Sequence, residues 1–197
     1  MKTLDEIAAF HGHTCPGLAI GYRVSELALR EMGRRDVDEE LVAIVENDSC
    51  AVDAVQVMTG CTFGKGNLVF RDHGKQVYTF IRRATGDTMR VSVEWKAPEE
   101  APEETEAWRM YSGGDRTEEV LELIHARKSK KIKAIMEAPD EELFKVDREN
   151  VAPPPKARIH TSLRCAECGE KTMETRMRLL AGEPVCLPCF LKTEGGS

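Results

Sequence analysis

Residues 40–70, ELVAIVENDSCAVDAVQVMTGCTFGKGNLVF, carry the pattern on which the fold turns. The run ELVAIVEN (40–47) is short, apolar and β-branched, as a buried strand is. DSCAVDAVQVMTG (48–60) then spaces Val52, Val55 and Met58 on one helical face, with Asp48 or Ser49 placed to cap its start. CTFGKGN (61–67) reads as a glycine-rich loop, and LVF (68–70) returns the chain to extended structure. The expected order is thus strand, helix, loop and strand.

Working outward, TLDEIAAFHG (3–12) predicts a short helix. Thr3 and Glu6 stand at capping-box spacing, and Gly12 marks the end. A second helix starts at Pro16, where a missing N–H costs nothing, and stops near Gly33. Leu18, Tyr22, Leu27, Ala28 and Leu29 give it a broad apolar face. Downstream, VYTFIRR and MRVSVEW predict two more strands, separated by the turns RDHGK and ATGD. APEEAPEE (97–104) reads as an acidic, proline-bearing connector. RTEEVLELIHARKSKKIKAIMEA is helical, in one or two pieces, with Asp115 and Glu118 available to cap it, and LFKVDREN is extended.

APPPK (152–156) is a stiff segment that predicts a domain boundary. The expected organisation is a core domain over 1–151, a linker over 152–157 and a small domain over 158–197. The chain has 197 residues, with 41% hydrophobic and 31% charged residues and a net charge of -6. That is enough for one core domain and an appendage. An acidic chain of this kind is a poor match to sequence-independent nucleic-acid binding. No apolar stretch reaches the roughly 18 residues a membrane span needs. The N-terminus has acidic residues and no apolar signal core, so a cytoplasmic location is expected.

Seven cysteines are present. An odd number argues against a complete disulfide framework and for metal ligation or thiol chemistry. Cys165-x2-Cys168 and Cys186-x2-Cys189, with 17 residues between the pairs, predict a tetrahedral zinc site. Four thiolates leave no open position, so this site reads as structural. METRMRLLAGEPVC between the pairs can form a hairpin turning at AGEP. A segment of about 35 residues buries too little core to fold alone, and the metal would supply the missing energy.

The second constellation is FHGHTCPG (10–17). His11, His13 and Cys15 alternate just before a helix start, and Cys50 lies at the start of another. Helix N-termini favour thiolates. Three readings stand together. The residues are separate caps and core groups, or an open metal site with fewer than four protein ligands, or a thiolate paired with histidine. The metal reading takes His13, Cys15 and Cys50 as ligands of a second divalent transition metal, with His11 and Cys61 as alternative or supporting ligands. Imidazole and thiolate donors suit zinc or another late first-row ion. The GKGN loop lacks the phosphate-loop pattern. His73 reads as a turn residue, His125 as a helix-surface residue, and His160 falls by the linker.

FHGHTCPGLAIGYR (10–23), SCAVDAVQVMTGCTFGKGNLVFRDHGK (49–75) and CAECGE with GEPVCLPC (165–189) together resemble the FmdE family of formylmethanofuran dehydrogenase subunits and their free-standing relatives. The resemblance implies an α+β core with helices on a mixed β-sheet, similar to the C-terminal domain of glyceraldehyde-phosphate dehydrogenases. It implies a zinc-ribbon-like tail, a homodimer and, as partners, other subunits of a molybdenum or tungsten enzyme. Its metal-rich pocket maps onto His11, His13, Cys15, Cys50 and Cys61. Nothing in the chain resembles a pterin-binding catalytic subunit, and no ferredoxin-type cysteine run is present. The expected role is therefore accessory or metal- and cofactor-handling, with a stand-alone enzyme using the core His/Cys site as the alternative.

Overall fold

In β1 (Leu41–Val45) every residue is buried, which requires cover on both faces of the sheet it joins. The computed structural model, which describes residues 1–33 and 40–194, explains this. β1 lies between β2 (Leu68–Phe70), its parallel neighbour, and β3 (Val77–Arg82), which runs antiparallel. β4 (Asp87–Val93) and β5 (Phe144–Asn150) extend the sheet antiparallel, giving the order β2-β1-β3-β4-β5. The parallel β1–β2 pair needs a crossover, and α3 (Ala51–Thr59) provides it.

Helices cover one face. α2 (Pro16–Met32) and α3 lay Ala19, Val24, Leu27, Ala28 and Val55 on Ala43, Val45, Tyr78, Phe80, Met89 and Val91, all nearly inaccessible to water. Each such aliphatic or aromatic side chain contributes about 1.5–3 kcal/mol when fully buried. The alternate residues Val42, Ile44 and Ile81 point the other way and pack with Val69 and Val151. One helical layer and a returning segment thus account for the doubly buried strand.

α2 and α3 approach unusually closely. A Cβ on Gly21 would stand 2.3 Å from the Ala51 carbonyl oxygen, so only glycine permits this crossing. α1 (Leu4–His11) packs beside them through Ile7, Leu18, Ala54 and Met58. Its capping box forms as expected: the Thr3 N–H donates to Glu6 Oε2 at 2.7 Å and the Glu6 N–H to Thr3 Oγ1 at 3.2 Å. Pro16 opens α2 and Gly33 follows its last residue.

The stretch expected to be only a connector is partly helical. α4 (Pro102–Ser112) begins inside it. Pro102 suits a first helical turn, and Glu104 accepts the Ala101 N–H at 2.8 Å. Ala107 packs on Val120 and Ile124 of α5 (Glu118–Glu137), and the Arg127 guanidinium lies 4.6 Å from the Trp108 ring centroid. α5 is one continuous helix. Thr117 occupies its N-cap without a side-chain bond, while Asp115 accepts the Thr117 N–H at 2.8 Å. α6 (Asp140–Leu143) is a single turn before β5.

The end of α5 is held by a buried arginine. Arg23 donates to the Ile135 and Met136 carbonyls at 2.6 and 3.0 Å and to Asp140 at 2.8 Å. Carbonyls of a last helical turn have no partner in their own helix, and a cation there also meets the negative end of the helix dipole.

The chain divides into two compact units, residues 1–156 and 157–197. The second contains two hairpins, β6 (Ser162–Arg164) with β7 (Lys171–Met173) and β8 (Met177–Leu180) with β9 (Glu183–Cys186), followed by α7 (Leu187–Glu194). The second hairpin turns at Ala181 and Gly182, both at positive φ. Among the described residues, no helix is long and apolar enough to cross a membrane.

Candidate metal centres

In the smaller unit, the Cys165, Cys168, Cys186 and Cys189 sulfurs all lie within 4.8 Å of one another. Cys168 and Cys186 are 3.8 Å apart, and the Cys186 N–H donates to Cys165 Sγ at 3.2 Å. None forms a disulfide. Backbone N–H groups of Cys168 and then Cys186 hold the Cys165 thiol down at about 6. The thiol partner Cys186, with burial next, pushes Cys189 up to about 12. One group that ionises readily, surrounded by others that resist, is the behaviour of like charges crowded together. A divalent cation at their centre removes that conflict.

The core cluster is assembled at three helix ends. α1 ends at His11, and Gly12 caps it in the left-handed conformation (φ 96°), which turns the chain so that His13 and Cys15 follow at once. Cys15 is the N-cap of α2, and its sulfur accepts the Leu18 N–H at 3.4 Å. Cys50 occupies the N-cap position of α3 without capping it. Of the expected caps, Ser49 serves elsewhere: it bonds Asn47 Oδ1 through its N–H and its hydroxyl. The close α2–α3 crossing brings the two helix starts together. Donor atoms of His11, His13, Cys15 and Cys50 consequently all lie within 4.8 Å of one another. The geometry is one of convergence, and the set has four members, the three named ligands and His11, one of the two alternatives.

His11 is held most firmly. Its Nδ1 lies 2.6 Å from Asp53 Oδ2 on the first turn of α3. A carboxylate there keeps the ring proton on Nδ1 and leaves Nε2 a free lone pair. That Nε2 is buried and has no hydrogen-bond partner. An unsatisfied buried acceptor costs about 1–3 kcal/mol. A carboxylate–histidine pair with a bare second nitrogen is also how metal-ligating histidines are oriented. The donor set fits a late first-row ion. Burial pushes the Cys50 thiol up, and the Cys15 thiol beside it adds to this; a cation would oppose both.

Cys61 does not belong to this cluster. It is fully buried in the main core and its sulfur donates to the Leu41 carbonyl at 3.3 Å. The loop after it turns away under the control of Asn67, which accepts the Thr62 N–H at 2.9 Å and donates to the same Leu41 carbonyl at 3.1 Å. Apolar packing and a backbone partner account for Cys61, which is not among the four converging donors. Of the remaining histidines, His73 Nδ1 lies 3.0 Å from Glu46, His125 is exposed on α5, and His160 lies 3.6 Å from Glu174.

Sequence reasoning missed Asp53. Its position three residues after Cys50, on the same first turn, is the signal that could have found it. It also missed a cleft of about 410 Å³. His11, Cys50 and Asp53 line it, together with Asn47, Phe63 and Phe70. Phe63 and Phe70 are 78% and 45% exposed, an unusual state for two phenylalanines on one concave surface.

Residues 160–195 match the prokaryotic dksA/traR C4-type zinc finger, and the tail is accordingly a zinc-binding module. A curated relative from Archaeoglobus fulgidus, described as a probable S-adenosyl-L-methionine-binding protein, is 34% identical over 91% of this chain. The chain spans about half the length of that relative, 50%. The crystal structure of a tungsten formylmethanofuran dehydrogenase FmdE-like protein from Syntrophus aciditrophicus superposes with a TM-score of 0.62 at 26% identity, covering 98% of this chain and 91% of that one. Residues 10–145, most of the core unit and both helix starts that carry its cysteines, match FmdE, described from the molybdenum formylmethanofuran dehydrogenase operon, and the chain belongs to that family.

Proposed function

We propose that the protein is a metal-handling accessory subunit with two metal sites of different kinds. In the tail, Cys165, Cys168, Cys186 and Cys189 hold a structural zinc. In the core, His11, His13, Cys15 and Cys50 hold a second divalent transition metal. The observation that carries the core site is the buried, unpartnered His11 Nε2 among thiol and imidazole donors, with its ring fixed from behind by Asp53. Such an ion would supply Lewis-acid or ligand-exchange chemistry. The residues supply the rest. Asp53 fixes the His11 ring, and the start of α2 fixes Cys15.

Family membership supports a role beside other subunits of a molybdenum or tungsten enzyme, acting as a homodimer in the cytoplasm. The chain brings no redox cofactor motif of its own. The second reading is a stand-alone enzyme, favoured by the cleft, whose wall includes Cys50 and His11. Metal analysis of protein purified without chelators tests the proposal. Two ions per chain are expected, falling to one in Cys15→Ala with the tail zinc retained. One ion per chain in the unaltered protein would leave the core a thiol site and overturn it.

A further inference from the structure

The four core donors differ in how they are held. His11 is bonded to Asp53, Cys15 sits in the first turn of α2 on the Leu18 N–H, and Cys50 is fixed at the start of α3. Cys15 and Cys50 are half-buried. His13 is exposed and follows the Gly12 turn. It touches the His11 ring, with centroids 4.5 Å apart. Three donors are therefore preorganised, and the fourth is exposed, held by its backbone and by the His11 ring beside it. Ordering an exposed side chain costs rotamer entropy that the other three have already lost in folding.

The cleft lies beside the same atoms. Cys50 and His11 are in its wall, so a donor atom replacing the His13 nitrogen, within 4.8 Å of the Cys50 sulfur, stands at its edge. No lysine or arginine lines it among the described residues, while Asp48 and Asp53 do. That charge pattern disfavours an anion. Phe63 and Phe70 offer aromatic faces to a flat ring. Phe63 is not a loose tip: it is carried on the loop that Asn67 and Thr62 tie down. The volume is within the range of small-molecule sites.

We infer that His13 is an exchangeable donor, and that the position it vacates accepts the ring nitrogen of an uncharged N-heterocycle whose flat body lies in the cleft against Phe63 and Phe70. The inference rests on the core metal reading above. With a metal bound, the heterocycle nitrogen would take the position of the His13 imidazole, one donor replacing another. No electron is transferred, and the released imidazole is hydrated. A borderline ion bound by imidazole and thiolate accepts an aromatic nitrogen readily.

The test uses the full chain loaded with cobalt(II), whose visible spectrum reports its ligands, and the probes imidazole and benzimidazole in neutral form. The all-thiolate tail gives a constant internal signal. His13→Ala should keep its core ion and bind imidazole about tenfold more tightly, because a tethered competitor has gone. Benzimidazole should bind the unaltered protein more tightly than imidazole. Phe63→Ala and Phe70→Ala should each cost benzimidazole roughly three- to tenfold and leave imidazole unchanged. Loss of the core ion in His13→Ala would overturn the inference, as would benzimidazole binding that ignores both phenylalanines. A small thiol such as 2-mercaptoethanol outcompeting both rings would also overturn it. Absence of a core ion in the unaltered protein, seen before any probe is added, marks failure of the metal reading itself.

Discussion

In the tail, Cys165, Val185 and Cys186 are the buried core, with Leu180, Cys189 and Phe190 around them. In the core domain, Cys15 borders a cluster of Ile7, Leu18, Ala54 and Met58, beside a second, much larger one. Two of the first set, Cys165 and Cys186, are the interior of their domain. The second sits at the rim of an interior built by other residues. A metal in the tail thus does the work that apolar area does elsewhere, whereas the proposed core metal would leave the packing of its domain to apolar residues. Place in the packed interior, more than donor type, distinguishes the two clusters.

The largest test of this contrast is Cys165→Ser. It should remove metal-linked folding energy on the order of 10 kcal/mol from the tail. Limited proteolysis should then digest the tail and leave a resistant fragment ending near residue 156. Collapse of the core as well would abolish the distinction. Gly21→Ala attacks the other side. Its Cβ would press on the Ala51 carbonyl at 2.3 Å, and overpacking of this kind costs about 1–3 kcal/mol. Denaturant titration should show the loss, core metal should fall with it, and tail zinc should remain.

Asp140→Asn probes stability away from either cluster. Burial raises the Asp140 carboxyl, but Arg30 at 2.5 Å and Arg23 at 2.8 Å outweigh it and hold it below the ordinary carboxylate value. A depressed carboxyl stabilises the fold above its unfolded pKa and stops doing so as pH falls through its folded value. The variant should lose about 2 kcal/mol at neutral pH, with the deficit vanishing in acid and neither metal site altered. The smallest effect belongs to Asp53→Asn. Core metal affinity should drop about tenfold, measured by chelator competition, with tail zinc and thermal stability unchanged. Equal weakening of both sites would show that the two regions are not independent.

Much of this was legible in the chain. Thr3 with Glu6, Pro16 and Gly33 are local signals, and the helices they delimit form where they point. Cysteine pairs at fixed spacing likewise announce the tail cluster, because knuckle geometry is local. What escaped depends on packing between distant segments. Asp53 becomes meaningful only once α3 lies against the end of α1. Cys61 looks like a fifth donor until the loop after it is seen to fold back on Asn67. The start of α4 was hidden because prolines and glutamates serve connectors and first helical turns equally well. Helix-start placement of Cys15 and Cys50 was readable, but their meeting depends on the Gly21–Ala51 contact, which no short pattern encodes.

The order of β4 and β5 has a consequence for how the protein is made. β5 pairs with β4 along its whole length, yet a segment of roughly 50 residues that includes α4, α5 and α6 separates them. At translation rates of about 5–20 residues per second, β4 waits several seconds as the open edge of a growing sheet. Such an edge invites pairing with another nascent chain. Arg90, in the middle of β4, places a charge on that edge during the interval, and on completion of the sheet it settles opposite Asp147 on β5. The same residue, which also reaches Glu46 at 3.7 Å, thus gains its later partner Asp147 at 3.9 Å.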